Sequence, residues 1–156
     1  MKIAIGCDEV AFELKEAIKA FLLAQNEVPV EEVKDFGVYD KNPVDYPDTA
    51  EKAAISILNG ECERGILICG TGIGMAIAAN KVPGVRAAVC HDIYSAERAR
   101  KSNNAQVMTM GALVVGVELA KKLVDVWLES EFQGGGSIPK VERINSIDEE
   151  YRRKVE

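Results

Sequence analysis

Two apolar rhythms alternate along this chain. Short dense runs, Lys2–Cys7, Val30–Phe36, Gly65–Cys69, Val85–Cys90 and Gln106–Met110, have the length expected of buried strands. The stretches between them space their apolar residues three and four apart. Ala11–Gln25 places Phe12, Ala17, Ile18, Phe21 and Leu22 on one helical face, and the same period predicts helices over Asp48–Leu58, Gly72–Asn80, Tyr94–Lys101 and Gly116–Glu129. Tyr39–Pro47, with two prolines and several acids, reads as a loop, and Pro83-Gly84 ends a helix. A glycine joint, Gly134-Gly135-Gly136-Ser137, precedes a charged helix from about Lys140 to Lys154.

This alternation predicts the α/β class, with five parallel strands covered by helices on both faces in a three-layer α/β/α arrangement. The chain reads as one domain over residues 1–156, an α/β core over 1–130 followed by a glycine joint and C-terminal helix over 131–156. That helix is expected to pack on a partner subunit rather than on its own sheet. In such sheets ligands bind beyond the carboxyl ends of the strands. Those ends carry Cys7-Asp8-Glu9, Cys69-Gly70-Thr71, Cys90-His91-Asp92 and Met110-Gly111.

Composition narrows the chemistry. Of 156 residues 47% are hydrophobic and 28% charged, and the net charge of −6 comes with no strongly basic stretch. A nucleic-acid partner is therefore not expected. The first apolar run meets Asp8 too soon for a signal peptide or a membrane span, so the expectation is a soluble, cytoplasmic protein with no membrane partner. Cys7, Cys62, Cys69 and Cys90 lack CxxC spacing, which suits reduced thiols better than disulfides or a zinc site, and no metal is expected.

The densest chemistry lies in ILICGTGIGM, residues 66–75. Gly70, Gly72 and Gly74 let backbone amides approach a ligand at the start of a helix. A dinucleotide fingerprint needs a third glycine at position 75, where the chain has Met75; Asp92 does fall near where an acidic ribose contact belongs. Cys69 just precedes the positively polarised helix start, a setting that favours a thiolate nucleophile or base, and Thr71 offers a hydroxyl relay. Simple packing of Cys69 is the alternative, because free cysteines are commonly buried.

GILICGTGIGMAIAANKVPGVRAAVCHD (65–92) resembles the ribose-5-phosphate isomerase type B and galactose-6-phosphate isomerase family, as do MKIAIGCD (1–8), VDYPD (44–48), YSAERARKSNNAQV (94–107) and VVGVELAKKLVDVWL (114–128). The resemblance implies a Rossmann-like sheet and metal-free aldose–ketose isomerisation of a small sugar phosphate through a cis-enediolate, with no cofactor. It also implies a homodimer or tetramer with active sites between two subunits. Matched by position, Cys69 is the base, the amides of Gly70, Gly72, Ile73 and Gly74 hold the enediolate, Thr71 lies near the ring oxygen, and Asp8, Tyr46 and Asn103 contact the sugar. Some members use a glutamate where this chain has Met75.

The departures from the family pattern concern the sugar. Ser102 replaces a ring-opening histidine, Glu9 a histidine on the phosphate side, and Leu113, Gly136 and Lys140 stand where arginines are expected. The lysine still offers phosphate a point charge. One reading keeps ribose 5-phosphate, with His91, Arg100 or Lys101 covering the lost functions and Arg98 or Arg143 adding charge. Another is an open-chain tetrose phosphate such as erythrulose 4-phosphate, which needs no ring opening. A third is a non-catalytic sugar-phosphate-binding subunit.

Overall fold

The computed structural model describes residues 1–24 and 28–153. The ends expected at Gln25 for the first helix and Lys154 for the last lie outside the described residues. Five strands, β1 (Lys2–Cys7), β2 (Glu32–Asp35), β3 (Arg64–Cys69), β4 (Ala87–Val89) and β5 (Val107–Gly111), form one parallel sheet in the order β2-β1-β3-β5-β4. The helices are α1 (Phe12–Ala24), α2 (Tyr46–Leu58), α3 (Ile73–Ala79), α4 (Ile93–Lys101), α5 (Val117–Glu129) and α6 (Ile138–Arg153). The edge strands β2 and β4 are shorter than the apolar runs suggest, having a partner on one side only.

One difference at a helix start has a clear cause. α2 begins at Tyr46 inside the expected loop, with Asp45 as its extended N-cap and Pro47 in the first turn. A proline there gives up an N–H that has no intrahelical acceptor, and its fixed φ suits the helix.

Side-chain alternation along the strands builds two unequal cores. Ile3, Ile5, Cys7, Ile66, Ile68, Met108 and Met110 face α1, α4 and α5, where Leu14, Ile18, Leu22, Leu123, Val124 and Trp127 are buried. Ala4, Leu67, Cys69 and Val107 face α2 and α3, a layer made largely of small residues, Ala50, Ala53, Ala54 and Ala79, together with Met75. Cys7 and Cys69 thus end neighbouring strands but point to opposite faces.

A charged clamp closes the first core. The Lys15 side chain is fully buried, its Nζ 3.0 and 2.8 Å from the two Asp35 carboxylate oxygens and 2.7 Å from the Val38 carbonyl. Lys19 Nζ reaches the same carboxylate at 2.7 Å, and Asp35 accepts from the Gly37 amide at 2.9 Å. Burial alone would push the Asp35 carboxyl up; the lysine hydrogen bonds outweigh it and hold the group below its ordinary value.

Within the chain, α6 is tied to the segment before β4. Val141 is buried, Asn145 accepts from Arg86 at 2.9 Å, and Asp148 accepts from the Gly84 amide at 2.8 Å. Ile144 and Ile147 stay about two-fifths exposed; the packing on a partner expected for this helix concerns that open face.

Candidate active site

In this strand order the chain leaves β1 toward β2 and then crosses back to β3, so β1 and β3 form a topological switch point. The connections that follow them diverge to opposite faces and leave a crevice at the carboxyl edge. Asp8 follows β1 into it, and Cys69 ends β3 beside it.

Cys69 is 5% exposed and faces the α2–α3 layer. Its Sγ accepts a hydrogen bond from the Gly72 amide at 3.1 Å. The loop above it is held by unusually close backbone packing. Gly72 has φ +78°, and a Cβ there would lie 2.8 Å from a Met110 backbone atom; one on Gly111 would lie 2.6 Å from the Thr71 Cα. Thr109, a polar residue inside an apolar strand, donates its hydroxyl to the Gly72 carbonyl at 2.8 Å. Sequence reasoning overlooked Thr109; the break it makes in VMTMG was the available signal. The exposed Thr71 accepts from the Ile73 amide at 3.3 Å through Oγ1.

Tyr46, at the first position of α2, is 37% exposed, and its ring lies against Gly74: a Cβ on Gly74 would be 2.5 Å from the tyrosine hydroxyl. Gly74→Ala is therefore expected to swing the ring out of the crevice. Alanine is the better helix former by about 1 kcal/mol, which offsets the disturbance in stability. The variant should keep its melting temperature yet lose about 10- to 100-fold in catalytic efficiency, the effect expected when a group bordering the crevice is displaced. Steady-state rates and a thermal melt on one preparation check this, and full activity would remove Tyr46 from the site.

Asp8 is nearly buried and caps the short turn after β1, Oδ1 accepting from the Ala11 amide at 3.1 Å. Burial pushes its carboxyl up from the ordinary value, against the Ala11, Val10 and Gly70 amides and with the Glu9 charge adding to the rise. Glu9 accepts from the Val44 amide at 3.2 Å and straps down the segment leading to Tyr46. His91 spends Nε2 as acceptor for the Gly111 amide at 2.9 Å, tying the end of β4 to the end of β5. Leu113, 77% exposed, lies beside Gly70, where a Cβ would be 3.5 Å from its Cδ1.

The remaining predicted residues lie at the opposite edge. Ser102 and Asn103 follow α4 and precede β5, at the amino edge of the sheet. The segment bearing Gly136 and Lys140 is at this edge as well: Arg64, opening β3, donates to the Trp127 and Leu128 carbonyls at the end of α5, and the Gln133 amide donates to the Lys101 carbonyl. The length of β5 alone puts the two groups roughly 16 Å apart at 3.3 Å per residue. Ser102 Oγ accepts from Arg98 Nε at 2.9 Å and also from Nη2. Arg100 is buried and committed to Asn104, Ala105 and Glu131, so it is not free to replace a lost function at the carboxyl edge.

Among the described residues no group of three or more His, Cys, Asp or Glu side chains is arranged to hold a metal ion, and no helix is long and apolar enough to cross a membrane.

A family model described as Ribose/Galactose Isomerase matches residues 3–145. The ribose-5-P isomerase B of Listeria innocua serovar 6a is 55% identical over 152 residues, 97% of this chain and 100% of that protein. The D-erythrulose-4-phosphate isomerase of Pectobacterium atrosepticum is 51% identical over 157 residues, 99% of each. Among solved structures, the ribose-5-phosphate isomerase B of Clostridium thermocellum superposes with a TM-score of 0.92 at 48% identity, covering 97% of this chain and 99% of that one.

Proposed function

This chain belongs to the ribose/galactose isomerase family, and from that premise we propose how it interconverts an aldose and a ketose phosphate. The observation that carries the mechanism is the Cys69 sulfur beneath the glycine loop, with the Gly72 N–H directed at it. The Cys69 thiolate removes the proton from the hydroxyl-bearing carbon beside the carbonyl, and the electron pair moves into an enediolate. Cys69 then returns the proton to the adjacent carbon while the hydroxyl proton passes from one enediolate oxygen to the other, so that carbonyl and hydroxyl exchange places. Within the loop the Gly72 amide serves the Cys69 sulfur, Ile73 serves Thr71 and Gly70 serves Asp8, which leaves the amides of Thr71 and Gly74 for the enediolate oxygens, in a backbone whose close packing leaves little to reorganise. Asp8, Thr71 and Tyr46 border the same crevice and hold the sugar.

The separation of the predicted residues between two edges supports a shared site. Ser102, Asn103 and Lys140 lie too far from Cys69 to serve it within one chain, whereas a second copy presenting its amino edge supplies them. The functional unit is thus a dimer or a multiple of it, with each site built by two subunits.

The first substrate reading is ribose 5-phosphate and its ketose, ribulose 5-phosphate. The pair of Arg98 and Ser102 favours a second. A serine occupied by a guanidinium offers no group that titrates near neutrality for opening a sugar ring. A four-carbon sugar with a terminal phosphate is already open, so an erythrulose 4-phosphate fits this site without one. A panel of tetrose, pentose and hexose phosphates, assayed without added metal, separates the readings. Turnover is expected on ribose 5-phosphate or D-erythrulose 4-phosphate. A wide margin for ribose 5-phosphate overturns the tetrose reading, and no turnover on any sugar favours a binding subunit.

A further inference from the structure

Arg86 precedes β4 at the amino edge, in a nest of carbonyl groups. Its Nε lies 3.2 Å from the carbonyl oxygens of both Asn103 and Asn104, and Nη2 lies 2.9 Å from that of Asn104. Nη1 donates to Asn145 Oδ1 on α6 at 2.9 Å and to the Gly84 carbonyl at 3.4 Å. Among the described residues these partners are all neutral. Burial, with the nearby Arg100 charge adding to it, pulls the guanidinium below its ordinary value. A partly buried cation whose hydrogen-bond partners, among the described residues, are all neutral forgoes the compensation of a contact ion pair, so such a pair does not explain its placement.

Its hydrogen bonds converge on one turn. Asn104 has φ +47°, a left-handed conformation that side chains other than glycine seldom adopt. Arg100 holds the same residue through Asn104 Oδ1 at 3.1 Å and the Ala105 carbonyl at 2.8 Å. The backbone at Asn103 and just after it is thereby pinned by two arginines. The Asn103 side chain is exposed and makes no hydrogen bond among the described residues.

We propose that Arg86 is a positioning residue: it holds the Asn103 turn in the shape that presents the Asn103 amide to the sugar in the partner subunit's site, and through Asn145 it links that turn to the C-terminal helix. The inference rests on the shared-site reading above. A lysine keeps the charge but cannot fork to Asn103, Asn104 and Asn145 together.

A double-mutant cycle tests it, with kcat and KM measured on ribose 5-phosphate and on D-erythrulose 4-phosphate and a thermal melt of each variant. Asn103→Ala is expected to raise KM about tenfold, the weight of a lost hydrogen bond to an anionic sugar. Arg86→Lys should raise KM by a similar factor, and the double variant should be no worse than Asn103→Ala alone. A merely structural role would instead lower the melting temperature and multiply with Asn103→Ala. Multiplying effects where Asn103→Ala is itself harmful overturn the inference and leave the shared site standing. An inert Asn103→Ala overturns both. Should Arg86→Lys fail to fold, Asn145→Ala cuts only the tether to α6 and should give a smaller rise in KM, absent when Asn103 is already alanine; a rise that persists there overturns the inference.

Discussion

Cys69→Ala is expected to lower turnover by roughly a thousandfold, the contribution of a positioned proton-transfer group, while the fold persists. The side chain is nearly buried against an alanine-rich layer, so losing one sulfur atom costs about 1 kcal/mol of packing. Rates on the preferred sugar phosphate, with a thermal melt as control, measure the two effects separately. A second readout follows from the enediolate: in heavy water the wild-type protein should exchange the carbon-bound proton of its substrate, and the variant should not. Cys69→Ser should resemble the alanine variant, because a hydroxyl is a far weaker base near neutrality. Undiminished turnover in either variant removes the thiolate mechanism and returns Cys69 to packing.

Lys15→Met is expected to be strongly destabilising although it lies away from the site. It leaves Asp35, 9% exposed, with Lys19 as its remaining lysine partner, and it takes the donor from the Val38 carbonyl. Breaking a buried pair in this way costs about 3 kcal/mol, or about 8 °C in melting temperature for a chain of this length. The sign of the pH dependence follows from the shifts. The Asp35 pKa is lowered in the folded protein, so its contribution is present above the ordinary carboxylate range and disappears as pH falls through the folded value. The Lys15 pKa is raised, since its hydrogen bonds to Asp35 and Glu16 outweigh burial, which acts the other way; its contribution is present below the ordinary lysine value and is lost as pH rises through the folded one. The gap between wild type and variant should therefore be wide near pH 7 and narrow in acid. Equal melting temperatures near pH 7 remove the clamp as a source of stability.

The carboxyl edge of the sheet was legible because each strand end there is marked by chemistry: an acid after β1, a thiol and glycines after β3, a histidine after β4. The amino edge was less so, although the rule for it is simple. In a parallel sheet, a residue that follows a helix and precedes a strand lies at the amino edge, and Ser102 and Asn103 obey it. Matching positions to a family pattern does not say at which edge of the sheet each residue falls. Glu9 illustrates another limit. It stands where the family pattern has a histidine on the phosphate side, whereas the fold gives its carboxylate a backbone amide, Val44, that is 35 residues away in the chain. Arg86 and Lys15 were invisible for the same reason: each is one charge among many until tertiary structure buries it.

The unequal thickness of the two helical layers has a consequence for how the protein tolerates change. The Trp127 side fails by hollowing, since each truncation of a large core side chain costs about 2–5 kcal/mol. The alanine side, which holds Cys69, has fewer large side chains to truncate, Leu67 and Met75 among them, and its alanines fail by crowding, at about 1–3 kcal/mol per enlarged residue. A mutational library meant to refit the pocket to a shorter or longer sugar should therefore leave that alanine layer alone. Its diversity belongs on the outer side chains Leu113, Ile73 and Ile77, each more than half exposed in the single chain, where a larger or more polar side chain does not press on the core.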